Sequence, residues 1–289
     1  MAKTLSDLLR VPDGPVDLSA YDSHGKPGFD GDKADGKAAL TELGDHASDL
    51  QERLYAEAKG GGLRRILVLL QGMDTSGKGG VIRHSVGLLD PQGIQLASFK
   101  APTDSERQHA FLWRIKQRLP VAGMVGIFDR SQYEDVLIAK VRELVDTDEI
   151  ERRYAAINSF EKRLADAGTA IIKCMLHISK DEQRERLLAR LDDPTKHWKF
   201  NPGDIDERAL WDDYQHAYEL ALERCTTEAA PWYVVPSDRK WYRNWAVTTL
   251  LVEHLERLDP QWPEAEFDVE EQKARLADSC RAEGSSLPR

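Results

Sequence analysis

The sequence lacks several features that assign proteins to common classes. It contains no run of about 18 consecutive apolar residues, so no membrane-spanning helix is predicted. Three cysteines, Cys174, Cys225 and Cys280, are present without CxxC spacing, and neither a disulfide framework nor a cysteine zinc site is expected. The eight histidines show no HExxH pattern, which argues against a histidine-bound metal.

Basic character is also scarce. The chain has a formal net charge of −10 and a pI near 5.4, which argues against general nucleic-acid binding, although a local basic groove can exist on an acidic protein. The first residues, MAKTLSDLLRVPDG, lack the apolar stretch of a secretory signal. We therefore expect a cytoplasmic protein with neither nucleic acid nor membrane as a partner.

Apolar strands alternate with amphipathic helices along most of the chain. The predicted strands are residues 66–70, 93–99, 124–128, 169–176 and 232–235. The predicted helices are residues 37–59, 105–118, 149–167, 180–191, 206–224 and 241–258. This alternation is typical of an α/β fold with a parallel sheet flanked by helices. Residues 1–36 are interpreted as an irregular arm, residues 37–260 as the main domain and residues 261–289 as a polar tail.

A glycine-rich segment follows the first predicted strand. It fits the pattern GxxxxGK and consists of Gly72, Met73, Asp74, Thr75, Ser76, Gly77, Lys78 and Gly79. Such a loop directs backbone N–H groups at phosphate, the following helix start adds positive charge, and the lysine reaches the outer phosphates. Gly80 and Arg83 extend the predicted phosphate contacts. The alternative is a strand-to-helix turn that binds nothing.

The residue after Lys78 departs from the usual pattern of nucleoside-triphosphate-binding loops. Gly79 occupies the position at which a serine or threonine hydroxyl normally binds magnesium. Another ligand must then hold the metal, and the carboxylate of Asp74 is the candidate because Mg²⁺ prefers carboxylate oxygen.

A second acidic motif follows the strand at residues 124–128. Asp129 and Arg130 come directly after it, at the strand end where α/β sheets bind ligands. Asp129 is predicted to hold magnesium and Arg130 to clamp phosphate oxygens. The alternative for Asp129 is a structural role as a turn or helix cap.

Four separated segments together resemble the family-2 polyphosphate kinases. They are GMDTSGKGG, FDRSQYEDVL, the run 184–218, and PWYVVPSDRKWY at residues 231–242. The similarity covers roughly residues 40–258. It implies a P-loop kinase fold like that of thymidylate kinases, with residues 37–260 as the phosphotransferase domain and a helical lid at about 180–215.

The resemblance also implies an activity and a role for matching residues. The expected reaction is reversible phosphoryl transfer from inorganic polyphosphate to AMP or ADP, with Mg²⁺ as the cofactor and Mn²⁺ as a substitute. Asp74 and Asp129 would bind the metal and position the accepting phosphate. Lys78, Arg130 and the lid residue Arg190 would stabilise charge on the transferred group.

A polyphosphate chain should require a row of cations, and Lys100 is included among the predicted phosphate contacts. The candidates for the row are Lys100, Arg114, Lys116, Arg118, Lys140, Arg142, Arg184, Arg186, Lys196 and Lys199, of which only a fraction is expected to line a channel. Aromatic residues that could stack on a base, or else fill the core, are Trp198, Phe200, Trp211, Trp232, Tyr233, Trp241, Tyr242 and Trp245.

Two other functions stay open at this point. The first is an ATP-dependent nucleotide or nucleoside kinase, against which the Gly79 departure speaks. The second is a non-catalytic nucleotide-binding protein on the same fold. Adenine nucleotides are the expected acceptors, with guanine nucleotides as the alternative, and a homo-oligomer is implied by the resemblance alone.

Overall fold

A computed structural model describes residues 3–284 of the chain as one α/β unit. Its sheet has five parallel strands in the order β2-β3-β1-β4-β5. The strands are β1 Arg65–Gln71, β2 Ile94–Ser98, β3 Val125–Asp129, β4 Thr169–His177 and β5 Trp232–Pro236. Each predicted strand is present, and the α/β fold class is confirmed.

Helices cover both faces of this sheet. They are α1 Leu5–Leu9, α2 Lys33–Lys59, α3 Lys78–His84, α4 Asp104–Arg107, α5 Trp113–Lys116, α6 Glu134–Val141, α7 Thr147–Asp166, α8 Lys180–Leu191, α9 Gly203–Ala209, α10 Trp211–Cys225, α11 Lys240–Leu258 and α12 Val269–Gly284. None of the described helices combines the length and apolarity needed to cross a membrane.

Strand β1 is apolar on both sides because helices pack against both faces of the sheet. Ile66, Val68 and Leu70 belong to a core shared with α2 and α11, and Leu67 and Leu69 belong to the opposite core, which includes α7 and α10. All five side chains are at most 3% exposed. Each contributes about 1.5–3 kcal/mol through burial, which anchors the strand that leads into the glycine-rich loop.

The N-terminal segment packs against the domain, so the prediction that residues 1–36 form an irregular arm rather than a packed element is wrong in that respect. Helix α1 buries Leu5 and Leu9, and Glu253 of α11 accepts hydrogen bonds from the backbone N–H groups of Leu5 and Ser6 at 2.7 and 2.9 Å. A capping box on Asp32 starts α2 before the predicted boundary. Leu5 and Leu9 are too short an apolar pair, among many Gly, Pro and Asp residues, for a helix to be predicted from the sequence.

Two predicted helices are divided in the structure. Residues 105–118 form α4 and α5 instead of one helix, because every residue of α4 lacks the burial that sustains a longer helix. The predicted helix at 206–224 is α9 followed by α10, with Leu210 at φ −93° and ψ 23° between them. The predicted tail contains α12, and residues 285–289 lie outside the described part.

The glycine-rich loop follows β1, the strand at which the direction of strand addition in the sheet reverses. From β1 the chain first builds β2 and β3 on one side, and then β4 and β5 on the other. The crevice at the carboxyl ends of strands beside such a reversal is the usual ligand site of α/β proteins. In the register of β1 and β3, Asp129 lies opposite Leu70, two residues before the loop begins at Gly72.

Candidate active site

The loop between β1 and α3 requires glycine where its backbone turns. Gly72 has φ 147° and Gly77 has φ 110°, in regions that other residues rarely adopt. A Cβ atom on Gly72 would lie 2.6 Å from the carbonyl oxygen of Leu176, so neighbouring β4 also excludes a side chain there. Thr75, with φ 64°, holds a strained left-handed conformation that its surroundings must maintain.

Lys78 folds back over the start of the loop. Its ammonium group donates to the carbonyl oxygens of Gly72 at 2.7 Å and Met73 at 3.4 Å. Burial and the nearby Arg130 guanidinium lower the pKa of Lys78 below its ordinary value. The ammonium group is thus desolvated and positioned at the loop, where an incoming phosphate would be its strongest available partner.

Side chains from α8 and α11 bind the next three carbonyl groups. The Gln183 amide donates to the carbonyl oxygen of Asp74 at 3.1 Å. Arg186 donates to those of Thr75 and Ser76 at 2.8 and 3.0 Å, and Arg243 adds a bond to Ser76 at 3.2 Å. Because the carbonyls face these donors, backbone N–H groups are left for an anion on the opposite side of the loop.

Arg186 is one of the candidate cations that do not line an open groove. It is 8% exposed and buried behind the loop, where it also donates to the carbonyl oxygens of Ser237 and Asp238. Backbone carbonyls and the Glu182 carboxylate, at 2.7 Å, occupy its guanidinium. The hydrogen bond from Arg186 to the Thr75 carbonyl oxygen also holds the strained Thr75 backbone in place.

The two acidic motifs meet at the mouth of the crevice. The Arg130 guanidinium donates to the Asp74 carboxylate at 3.2 Å, which joins the loop acid to the residue after β3. Arg130 has φ 64°, a second strained backbone at the site. The Asp129 carboxylate lies 3.5 Å from the Ser98 hydroxyl at the end of neighbouring β2.

A buried ion pair supports the second acidic motif from behind. The Lys173 ammonium group on β4 donates to the Glu161 carboxylate at 2.6 Å, and both side chains are almost fully buried. Glu161 also accepts from Gln132 at 2.8 Å and from the Tyr133 hydroxyl at 2.9 Å. The segment after Arg130 is consequently held by hydrogen bonds to the Glu161 carboxylate inside the core.

The predicted loop residues share a cleft with residues that the sequence did not single out. Gly72, Met73, Asp74 and Arg130 line a cleft of about 240 Å³. The additional lining residues include Glu134, Gln183, Asp204, Glu207, Tyr214 and Tyr218.

Glu134 and Tyr218 are the most informative of these additions. Burial raises the pKa of Glu134, although Arg130 and Lys78 act in the opposite direction. The Tyr218 hydroxyl accepts from the backbone N–H of Gly72 at 3.1 Å, and burial raises its pKa well above the ordinary value. Glu134 belongs to the segment FDRSQYEDVL, so the sequence could have identified it as a site residue, whereas no local pattern marks Tyr218.

The predicted lid residue Arg190 lies at the rim of this cleft. Its guanidinium donates to the carbonyl oxygen of Lys199 at 3.0 Å and to the Asp204 carboxylate at 3.3 Å. Asp204 lines the cleft and belongs to α9, so this contact joins Arg190 of α8 to a helix of the predicted lid. Arg142, another candidate cation, pairs at 2.7 Å with Glu207 of α9.

A second, more basic cleft of about 420 Å³ lies beside Asp129. Ser98, Lys100 and Arg118 are among its lining residues. Arg114 also contributes, but it is 7% exposed and pairs at 3.0 Å with Asp135, so the structure does not leave it as a free groove cation. Arg83 is exposed near the end of α3, away from the residues that gather around Asp74.

Most aromatic candidates fill the core. Trp211, Trp232, Tyr233 and Tyr242 are buried, and Trp245 is 8% exposed. Trp198 differs, since it is 78% exposed in the turn between α8 and α9.

The donor groups at the mouth fit a divalent cation that is shared with phosphate. Asp74 and Asp129 supply carboxylate oxygens, and within residues 3–284 no three His, Cys, Asp or Glu side chains gather into a complete metal cage. Magnesium typically uses one or two carboxylates together with substrate phosphates. The Thr75 and Ser76 hydroxyl oxygens are buried without a hydrogen-bond partner in the described part of the chain, so neither is exposed to the cleft as a metal ligand.

Comparisons with known proteins agree with this geometry. The chain is 48% identical over 255 residues to an AMP/ADP-polyphosphate phosphotransferase of Meiothermus ruber, covering 88% of this chain and 94% of that protein. It is 40% identical over 275 residues to an ADP-polyphosphate phosphotransferase of Rhodopseudomonas palustris, covering 91% and 93%.

The crystal structure of polyphosphate kinase 2 from Arthrobacter aurescens superposes with a TM-score of 0.94 at 55% identity, covering 96% of this chain and 98% of that one. Residues 30–263 match the family described as Polyphosphate kinase 2 (PPK2). The match spans the glycine-rich loop, the second acidic motif and the lid. This protein belongs to the polyphosphate kinase 2 family.

Proposed function

We propose that this protein transfers the terminal phosphoryl group of inorganic polyphosphate to AMP and ADP in a Mg²⁺-dependent, reversible reaction, with Mn²⁺ as a substitute metal. The observation that carries the proposal is the glycine-rich loop, whose carbonyls are bound by Lys78, Gln183 and Arg186 while Asp74 and Arg130 meet at its mouth. Relatives named for AMP/ADP and for ADP support the acceptor class.

The chemistry requires alignment and charge neutralisation more than covalent participation by the protein. An oxygen of the acceptor phosphate attacks the terminal phosphorus, and the bond to the shortened polyphosphate breaks. A bound divalent cation would neutralise phosphate charge and orient both chains. Asp74 and Asp129 would hold it, while Lys78, Arg130 and Arg190 would stabilise negative charge on the transferred group.

The two clefts provide separate approaches to the same mouth. Lys100 and Arg118 give the second cleft a basic lining suited to a phosphate chain. The first cleft reaches under α9, where Arg190 lies one residue before the carboxyl end of α8. Docking of this lid over bound substrate would exclude water, which otherwise accepts the phosphoryl group.

Nucleotide production without ATP tests the proposal. Purified protein is incubated with Mg²⁺ and long-chain polyphosphate, AMP, ADP, GMP and GDP are supplied separately, and products are separated by chromatography. Formation of ADP and ATP supports the proposal, and the guanine nucleotides measure base preference. If polyphosphate gives no product while ATP phosphorylates a nucleotide or nucleoside, the protein is a conventional kinase. Absence of turnover with every donor would support a non-catalytic nucleotide-binding protein.

The same proposal includes a cytoplasmic location and a homo-oligomeric state. Cys174 and Cys225 are buried free thiols, and burial raises the pKa of each to about 12, which suits structural cysteines in a reducing compartment. The Cys280 side chain lies outside the described part. Exposed Leu63, Leu96 and Val121 offer apolar surface for self-association. Light scattering on the purified chain gives the oligomeric state directly.

A further inference from the structure

Gln183 connects the phosphate loop with the lid. It is 1% exposed, and its amide nitrogen donates to the carbonyl oxygen of Asp74 at 3.1 Å. Its amide oxygen accepts from the Arg208 guanidinium of α9 at 2.9 Å. Arg208 also donates to the carbonyl oxygen of Lys180 at the start of α8. One side chain therefore joins the peptide group of the loop acid to the lid helix.

The two ends of this connection differ in how firmly they are held. Helix α8 is fixed to the loop, because Arg186, three residues after Gln183, binds two further loop carbonyls. Helix α9 has no buried residue, and its contacts with α8 are the polar ones made by Arg208 and by Asp204 with Arg190. Glu207 of α9 also pairs with Arg142 at 2.7 Å and accepts from the Tyr214 hydroxyl at 2.6 Å. Since all these contacts are polar and no apolar side chain of α9 is buried, this helix can undock at lower cost in free energy than α8, which stays with the loop.

We propose that Gln183 is a positioning residue that couples docking of α9 to metal binding at Asp74. The inference rests on the proposed function, since it takes Asp74 as a metal ligand. The amide bond fixes the peptide group that follows the Asp74 side chain and so orients its carboxylate. When α9 undocks, the buried amide oxygen of Gln183 loses the Arg208 guanidinium, and the side chain must reorient to recover a partner.

Metal binding by the full-length chain tests this coupling without relying on turnover. The probe is Mn²⁺, with the free ion measured by electron paramagnetic resonance in the absence of polyphosphate, because polyphosphate itself binds Mn²⁺. The variants are Gln183→Met, Arg208→Met and the double variant. Arg152→Met on α7 is the matched control, because Arg152 carries the same charge as Arg208 but is 66% exposed, pairs with Glu149 at 3.0 Å and lines neither cleft.

The expected result for Gln183→Met is a rise in the Mn²⁺ dissociation constant by about threefold to tenfold, the effect of one lost hydrogen bond. Arg208→Met should raise it less, and the double variant should match Gln183→Met because both changes act on one connection. Arg152→Met should leave it unchanged. If Gln183→Met folds poorly, Arg208→Met on the lid still reports the coupling.

An unchanged dissociation constant in Gln183→Met and Arg208→Met would overturn the inference, and so would additive effects in the double variant. Failure of the proposed function gives a different result. In that case the unmodified chain itself shows no metal-dependent transfer from polyphosphate, whatever the variants do to Mn²⁺ binding.

Discussion

Two neighbouring glycines at the start of α3 should respond oppositely to the same substitution. An ideal Cβ atom on Gly80 would lie 2.5 Å from Nη2 of Arg243, whereas one on Gly79 meets nothing within 4 Å. Neither residue has positive φ, so alanine brings no backbone strain at either position. Comparing Gly79→Ala with Gly80→Ala therefore separates the lack of space for a side chain at Gly80 from the general effect of glycine on helix stability.

The expected magnitudes follow from these contacts. Alanine improves helix stability over glycine by up to about 1 kcal/mol at both positions. At Gly80 the displaced Nη2 loses its bond to the Asn244 side chain, which is 2.8 Å long, and a hydrogen bond to a charged group contributes about 1.5–3 kcal/mol. Gly79→Ala should therefore stabilise the fold slightly, and Gly80→Ala should destabilise it by about 0.5–2 kcal/mol.

Urea unfolding of both variants, without metal or phosphate, measures the free energy of unfolding directly. The two variants should differ by about 1.5–3 kcal/mol, the contribution of the lost hydrogen bond, with the same dependence on urea concentration. Activity adds a second readout, because a displaced Arg243 also loosens its bond to the carbonyl oxygen of Ser76. Equal stabilities for Gly79→Ala and Gly80→Ala would show that Arg243 does not restrict the loop in the way its position indicates.

The remaining predictions concern the carboxylates and pH. Asp74→Asn and Asp129→Asn should each lower polyphosphate-dependent turnover by roughly 100-fold or more while the free energy of unfolding changes little, and near-normal turnover would exclude their metal-binding roles. Burial lowers the pKa of His254 to about 4, so the unfolded chain binds the proton first as pH falls. Stability should decline by about 3 kcal/mol between pH 6.5 and 4, and His254→Gln should reduce that decline in urea titrations.

Local patterns were sufficient to predict the sheet and the loop. The apolar run of β1 is continuous because both faces of the strand are buried, and the glycine spacing reflects a backbone that other residues cannot adopt. The pairing of Asp74 with Arg130 also follows, since strands β1 and β3 end at the same edge. The catalytic roles of these residues stay predictions.

Long-range contacts could not be predicted in the same way. Arg186 and Arg243 reach the loop from more than 100 residues away in sequence, and both look like ordinary surface cations on charged helices. Lys173 interrupts an apolar strand, yet its charge is satisfied by Glu161 in the core. Helix α1 rests on Leu5 and Leu9, a pair too short to produce a helical period. Each case depends on a partner that the sequence alone does not identify.

The position of Arg243 explains how an acidic chain can favour a polyanion. In the described part of the chain its guanidinium has no carboxylate within ion-pair distance and is held by Asn244 and the Ser76 carbonyl. Burial and neighbouring Arg186 lower its pKa to about 9, which still leaves it protonated at neutral pH. A buried positive charge behind the loop acts through a medium of low dielectric constant, so it attracts phosphate more strongly than an exposed charge at the same distance would. The net charge of −10 is therefore compatible with a polyphosphate substrate, because Lys78, Arg186 and Arg243 place three cationic groups directly against the loop.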